Sequence, residues 1–219
     1  MSGLDFDSAV PLRASFFERP AATVARELLG CMLVSRIGGA LTAGMIVETE
    51  AYLGADDAGS HAATRGITPR NRVMYGPPAH AYVYFTYGNH HMLNLVAEPE
   101  GVAGGVLIRA IEPITGVPAM TERRAGRSGV ELTNGPGKVA AALGVDLTHN
   151  GTPLGEQLTV YAGTPLPDTL VATSGRIGLS AGHELPLRFY VRDNAYVSKA
   201  RPGPRSPHGA TGTHERKTT

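Results

Sequence analysis

Met45-Ile-Val-Glu-Thr-Glu-Ala-Tyr-Leu-Gly54 runs from apolar residues into two carboxylates and a tyrosine. A half-buried strand turns alternate residues to one face, which groups Glu48, Glu50 and Tyr52. The apolar start marks a sheet strand, and the acids are expected at the loop edge where that strand ends. A carboxylate at the mouth of an apolar sheet, beside an aromatic ring, suits a general base next to a flat ligand. Acidic residues that end a strand are more commonly solvated, so the reading needs support from the rest of the chain.

Working outward, Leu41 to Thr49 pairs with Cys31 to Ile37 through a Gly38-Gly39 turn. Pro20 and Gly30 bracket an amphipathic helix before that hairpin. Downstream, Ala81-Tyr-Val-Tyr-Phe-Thr-Tyr-Gly88 alternates, with Tyr82, Tyr84 and Thr86 on one face and Val83, Phe85 and Tyr87 on the other. Gly88-Asn89 reads as a tight turn and Met92 to Val96 as the returning strand, with Asn94 among apolar neighbours. Gly105 to Ile111, Leu158 to Ala162 and Leu187 to Arg192 read as further strands, and Gly116 to Arg124 and Lys138 to Leu143 as helices. The order predicts an α+β fold: one domain with a curved antiparallel β-sheet flanked by short helices and long loops. Residues 16–200 form that domain, between a mobile segment over 1–15 and a disordered tail over 201–219, poor in aliphatic side chains.

The chain has 219 residues, 42% hydrophobic and 18% charged, enough for one well-buried core. It has 28 glycines and 16 prolines, which favour turns and loops over long helices. A single cysteine, Cys31 in an apolar run, excludes an internal disulfide and a multi-cysteine zinc site. No histidine spacing supports a metal site, and no cofactor is expected. The absence of a signal peptide or transmembrane stretch predicts a soluble, cytoplasmic protein. A net charge of +1 means that any basic face must be local; Arg65, Arg70, Arg72, Arg109, Lys138, Arg176 and Arg192 are its candidates.

Aromatic residues are scarce, with eight Tyr, five Phe and no Trp, yet three tyrosines fall within Tyr82 to Tyr87. Asn94 either satisfies a nearby backbone group or selects a ligand. Arg65, Arg70 and Arg72 follow His61 with no acid among them, forming either a solvated loop or an anion site. Slot, carboxylate, amide and arginine loop together are what an enzyme needs to extrude a base from DNA and act on its glycosidic bond.

Val47-Glu-Thr-Glu-Ala-Tyr-Leu-Gly54, His61, Thr68-Pro-Arg-Asn-Arg72, Tyr82 to Gly88, Asn94, Arg109-Ala-Ile-Glu-Pro113, Asn134-Gly-Pro-Gly-Lys138 and Pro186 to Arg192 resemble the alkyladenine (3-methyladenine) DNA glycosylase family. The resemblance runs in order from about Phe16 to Ser198. It implies a bacterial-type, nucleoid-associated base-excision-repair enzyme that acts as a monomer and flips alkylated or deaminated purines from duplex DNA. Such enzymes act on 3-methyladenine, 7-methylguanine, hypoxanthine or ethenoadenine, and leave an abasic site.

By that resemblance Glu50 is the catalytic base that activates water, and Tyr52, His61 and Tyr84 sandwich the flipped base. His61 also reads the base through its main-chain N–H. Tyr87 is the wedge left in the duplex, Asn94 crowds the exocyclic amino group of guanine, and Arg109 lies near the site and the DNA backbone. His90, His91 and Gly66 depart from the family pattern, which bears on phosphate contacts and lesion preference.

The residue chemistry is compatible with that role for Glu50. One carboxylate can stabilise an oxocarbenium-like transition state and take a proton from water. Glu48, about 6–7 Å earlier along the strand, is read as structural. A lyase needs an amine nucleophile. Lys138, the one lysine before the C-terminal segment, sits at a glycine-flanked helix start suited to a DNA phosphate. A monofunctional glycosylase is therefore expected. A non-enzymatic module that stacks bases and a hydrolase of free nucleosides are the alternatives.

Overall fold

The computed structural model describes residues 9–63, 66–86, 88–199 and 202–203. Arg65, Tyr87 and most of the two terminal segments expected to be mobile lie outside these residues. Helices α1 (Ala14–Phe17) and α2 (Ala21–Glu27) lead into β1 (Met32–Ser35) and the long β2 (Thr42–Tyr52). The aromatic hairpin is β3 (Ala81–Thr86) and β4 (His90–Val96), followed by β5 (Gly105–Thr115), α3 (Val117–Arg123) and α4 (Pro136–Leu143). The chain then adds β6 (Leu158–Tyr161), β7 (Val171–Ser174) and β8 (Arg188–Val191).

All strand pairs are antiparallel and form one eight-stranded sheet in the order β3-β4-β5-β2-β1-β6. β8 pairs with β2 where β1 has ended, and β7 pairs with β8. The expected α+β class and antiparallel sheet are present. Pro136 occupies the first turn of α4, where a missing N–H costs nothing, and Gly144 ends it in the left-handed region at φ 78°.

The apolar faces of α2 and α4 close one side of the sheet. Their buried Val24, Leu28, Val139 and Leu143 join Leu33, Ile46, Leu93, Leu95, Ile108 and Ile111 in the main core. Burial of this apolar surface is the chief stabilising term. A smaller cluster of Ala62, Met74, Tyr82, Val96 and Ala103 contacts Tyr52 and Tyr84. Strand alternation divides β3 accordingly, with Ala81 and Val83 in the main core and Tyr82 in the second cluster.

Two register shifts set the chemistry of the central strands. Pairing passes from Ile46↔Ile111 to Glu48↔Ala110, which leaves Val47 unopposed, and then to Thr49↔Ile108, which leaves Arg109 unopposed. An unopposed residue reverses the alternation of its strand and re-aims the side chains around it. Ile46 and Ala51 therefore belong to the main core, and Thr49 donates to the Ala25 carbonyl of α2. Glu48, Glu50 and Tyr52 share a network with Arg109 instead.

The structure differs from the sequence reading in several places. β2 does not end at Thr49 but continues to Tyr52, so Glu48 and Glu50 lie inside the sheet and are fully buried rather than at a loop edge. β7 was not anticipated, because its four residues, Val-Ala-Thr-Ser, are too short to show a period. Pro11 bridges Tyr161 and Leu12 donates to Val160, so residues 11 and 12 of the segment expected to be mobile are tied to the sheet. At the other end Gly203, within the segment expected to be a tail, bridges Ile177.

Candidate active site

Glu50 sits on a strand bonded on both sides, opposite Leu107 of β5 and Arg188 of β8. Its Oε1 accepts the Ile177 N–H at 2.8 Å. Its Oε2 accepts the Tyr52 hydroxyl at 2.9 Å and faces Arg109 Nη1 at 3.1 Å. A carboxylate offers about four lone-pair sites; two take hydrogen bonds, and Arg109 adds an ion pair at Oε2. Oε1 keeps unused acceptor capacity, although Glu50 is fully buried and does not itself line the cavity.

Arg109 is buried between both acids, with Nε 2.7 Å from Glu48 Oε1. Burial opposes its charge, but Glu50 and then Glu48 outweigh that and hold the guanidinium protonated above its ordinary range. Glu48 also accepts from Arg188 Nε at 2.8 Å and from the Ser198 N–H and hydroxyl at 2.7 and 2.8 Å. Burial alone would raise the Glu48 carboxyl, yet Arg109 and Arg188, with the Ser198 hydrogen bond, keep it below the usual carboxylate range. The structural reading of Glu48 fits this saturated environment. The buried acids Glu48, Glu50 and Asp57 match the buried arginines Arg109, Arg176 and Arg188 one for one among the described residues, so the centre carries no net charge.

Tyr52, His61, Tyr84, Leu107, Arg109 and Ile177 line a cavity of about 940 Å³, whose far wall is the start of α4. That size is within the range of ligand sites. The His61 and Tyr84 rings meet edge to face at 4.7 Å, and His61 Nδ1 lies 2.9 Å from the Tyr82 hydroxyl. Burial, and then Arg70, lower the His61 pKa. Burial raises Tyr82 to about 12, against the opposing charge of Arg70. Burial first, and Glu50 second, push the Tyr52 phenol well above its ordinary value, so it remains a donor.

A flat base between rings needs about 7 Å, twice a carbon contact. His61 and Tyr84 at 4.7 Å therefore form a single wall, with no room for a base between them. Behind that wall a space of about 50 Å³ is lined by Met74, Tyr82 and Asn94, too small for more than a water or two.

Asn94 is 4% exposed and uses its amide N–H groups on the carbonyls of Tyr82 and Met92, at 3.1 and 3.5 Å. It thus satisfies backbone groups and lines the small space behind the His61–Tyr84 wall rather than the large cavity. Arg70 is exposed and stands 5.2 Å from the Tyr84 ring centre, and Arg72 is exposed nearby in sequence. Asn71 fastens this loop by donating to the carbonyls of His61 and Gly66 at 2.9 and 2.8 Å. Lys138 projects from the first turn of α4 with Nζ 2.6 Å from Glu131 and 2.7 Å from Asn134.

Two expected members of a basic face are not on one. Arg176 is fully buried against Asp57, and Arg109 is 5% exposed, directed at carboxylates rather than at a phosphate. Arg192 is exposed. Sequence reasoning gave no role to Arg188, Asp57 or Ile177. Arg188 lay in a motif already singled out, whereas a main-chain N–H such as that of Ile177 leaves no signal in residue identity. Among the described residues no group of three His, Cys, Asp or Glu side chains could hold a metal ion, and no helix is long and apolar enough to cross a membrane.

A family model described as Methylpurine-DNA glycosylase matches residues 15–195. A protein of Chlorobaculum tepidum is 45% identical over 195 residues, which is 88% of this chain and 93% of the relative. One of Carboxydothermus hydrogenoformans is 47% identical over 190 residues, covering 86% and 98%, and one of Myxococcus xanthus is 45% identical over 204 residues, covering 90% and 98%. All three carry names that provisionally assign them as 3-methyladenine DNA glycosylases.

Proposed function

The chain belongs to the methylpurine-DNA glycosylase family, and from that premise we propose that it flips alkylated or deaminated purines out of duplex DNA and hydrolyses the N-glycosidic bond. Its substrates would be 3-methyladenine, 7-methylguanine, hypoxanthine and ethenoadenine, and its product an abasic site. The observation that carries this reading is the Glu50 carboxylate, held by Tyr52, Arg109 and Ile177 with one acceptor position of Oε1 left for water.

In this mechanism the base enters the large cavity between Tyr52 and the wall made by His61 and Tyr84. Glu50 takes a proton from water as that water attacks the anomeric carbon, and its charge offsets the developing oxocarbenium. Arg109 pairs with Glu50 at Oε2. The base departs with the bonding electrons, aided by its own positive charge when it is methylated and by a proton when it is neutral. Asn94 disfavours guanine at the slot. Arg65, Arg70, Arg72 and Lys138 contact phosphates, Lys138 exchanging Glu131 for the DNA. Arg109 is assigned to the carboxylates in place of a backbone contact.

The enzyme is read as monofunctional: of the cavity-lining lysines Lys138 and Lys199, Lys138 is engaged by Glu131 and Asn134, and among the described residues neither hydrogen-bonds to Glu50. It acts as a monomer through residues 16–200. Tyr87, between β3 and β4 in the chain, is the wedge, and Tyr87→Ala should lower the flipped fraction of an ethenoadenine reporter in duplex DNA.

The deciding experiment is base release from lesion-bearing duplexes under single-turnover conditions, with the free nucleosides alongside. Glu50→Gln should abolish hypoxanthine release while DNA affinity stays within about tenfold. Full activity in that variant would eliminate Glu50 as the base. Cleavage of free nucleosides alone would favour the nucleoside hydrolase, and binding without release a non-enzymatic module.

A further inference from the structure

We propose that Arg176, gripped by Asp57, is a positioning residue for the glycosylase reaction: it fixes both the Ile177 N–H and the Tyr52 ring against the oxygens of Glu50. The inference rests on the reading of Glu50 as the base that activates water.

Arg176 and Asp57 are buried away from both solvent and the cavity, at 0% and 1% exposure. Nη1 of Arg176 donates to Asp57 Oδ2 at 2.6 Å and to the Ala51 carbonyl at 3.0 Å. Nη2 donates to Asp57 Oδ1 and to the Gly182 carbonyl at 2.9 Å. Asp57 in turn accepts the N–H groups of Leu53 and Gly59 at 3.0 and 2.9 Å. One guanidinium therefore joins the end of β2, the loop that leads to His61, and the loop from Gly175 to Gly182. The fit is close, because a Cβ on Gly59 would stand 2.6 Å from Arg176 Nη2.

Both groups that Arg176 fixes bear on Glu50. The guanidinium lies 4.8 Å from the centre of the Tyr52 ring, whose hydroxyl donates to Oε2. The next residue in the chain, Ile177, donates its N–H to Oε1. The Arg176 backbone is itself pinned, its N–H on the His183 carbonyl at 3.0 Å and its carbonyl on the Gly203 N–H at 3.2 Å. Both hydrogen-bond donors to Glu50 thus hang on this clamp, whereas its ion pair with Arg109 does not.

Stability does not account for the pair. A buried ion pair is commonly no more stabilising than apolar residues of the same volume, and the Arg176 Nε has no hydrogen-bond partner. What an apolar pair could not reproduce is the planar fork with two terminal nitrogens, which holds three segments in one geometry.

The test is single-turnover release of hypoxanthine from a duplex, followed from about pH 5 to pH 9. It compares wild type, Arg176→Lys, the uncharged double variant Asp57→Asn with Arg176→Gln, and Glu50→Gln. Folding is checked by circular dichroism, and affinity is measured on duplex that carries an abasic site. The Arg176 variants should bind that duplex as wild type does but release hypoxanthine about 100-fold more slowly. Their acid limb should move up by about one pH unit, because a carboxylate with fewer fixed donors binds a proton more readily.

Lysine keeps the charge but not the fork, so Arg176→Lys should fail to rescue. A folded variant with the wild-type rate overturns the proposal, and so does a slower one whose acid limb is unmoved, since a merely structural role predicts that. If Glu50→Gln remains active, the base assignment has failed instead. Should no Arg176 variant fold, amide exchange in wild type decides: Ile177 must exchange as slowly as the central strands, and loop-like exchange overturns the clamp.

Discussion

Tyr52 donates its hydroxyl to Glu50 across 2.9 Å, although only Ala51 separates the two on one strand. A residue two places along a strand faces the same way, so a single element supplies both the carboxylate and one of the groups that orient it.

Tyr52→Phe keeps the ring and removes that donor. A hydrogen bond to a charged group contributes about 1.5–3 kcal/mol, and Arg109 still holds Oε2. The single-turnover rate for hypoxanthine should fall about tenfold, with little change in DNA affinity. An unchanged rate would mean that the Tyr52 hydroxyl does not orient the base. In the folded wild type, ultraviolet titration should show no Tyr52 ionisation near pH 10, where an ordinary phenol titrates.

Asn94→Ser removes an amide that binds the Tyr82 carbonyl and lines the small space behind the His61–Tyr84 wall. Release of undamaged guanine relative to hypoxanthine should rise. The ratio is the measurement. If both rates persist in the wild-type ratio, Asn94 serves the backbone alone.

Glu48→Gln removes the carboxylate that Arg109 and Arg188 share, leaving Arg188 without its buried acid and Arg109 with Glu50 alone. Breaking a buried pair typically costs about 3–5 kcal/mol, and urea unfolding at pH 7 should show a loss of that size. The folded Glu48 carboxyl lies below its unfolded value of 4.5. Its contribution is therefore complete above about 4.5 and drains away as pH falls through the folded value. The difference between wild type and variant should shrink over that acidic window, and a constant difference would contradict the assigned shift.

His61 is shifted the other way in charge, since burial and Arg70 favour its neutral form. On acidification the unfolded chain takes up the proton first, near pH 6.5. The stability that His61 contributes is thus complete above that pH and is lost below it, down to the folded value. Thermal melts of His61→Gln should depend less on pH between about 7.5 and 5.5 than those of wild type. Parallel curves would show that another group controls this range.

Much of the fold was legible because its signals are local. Pro20 and Gly30 bracket α2, and the alternation in β3 puts Tyr82 and Val83 on opposite faces as the sequence predicts. Glu48, Glu50 and Tyr52 do share a face. What alternation could not reveal is the pair of register shifts at Val47 and Arg109, because a bulge is a relation between strands and neither residue type marks one. Without those shifts, the parity of Glu48 would place it with Ile46 in the main core. Arg176 was misjudged for a related reason. Its partner Asp57 lies 119 residues away in sequence, so an arginine that looks free in the chain is paired in the fold.

β2 is flanked along its length, by β5 on one side and by β1 and then β8 on the other. The N–H and carbonyl of Glu50 are thereby committed to neighbours that separate only when the domain unfolds. The proposed base is a fixed anvil, and whatever moves during a turnover must be the nucleotide and the loops that meet it. New substrates can then be gained by altering the loop around Arg70, which lies outside the Arg176 clamp, with the reacting carboxylate left where it stands.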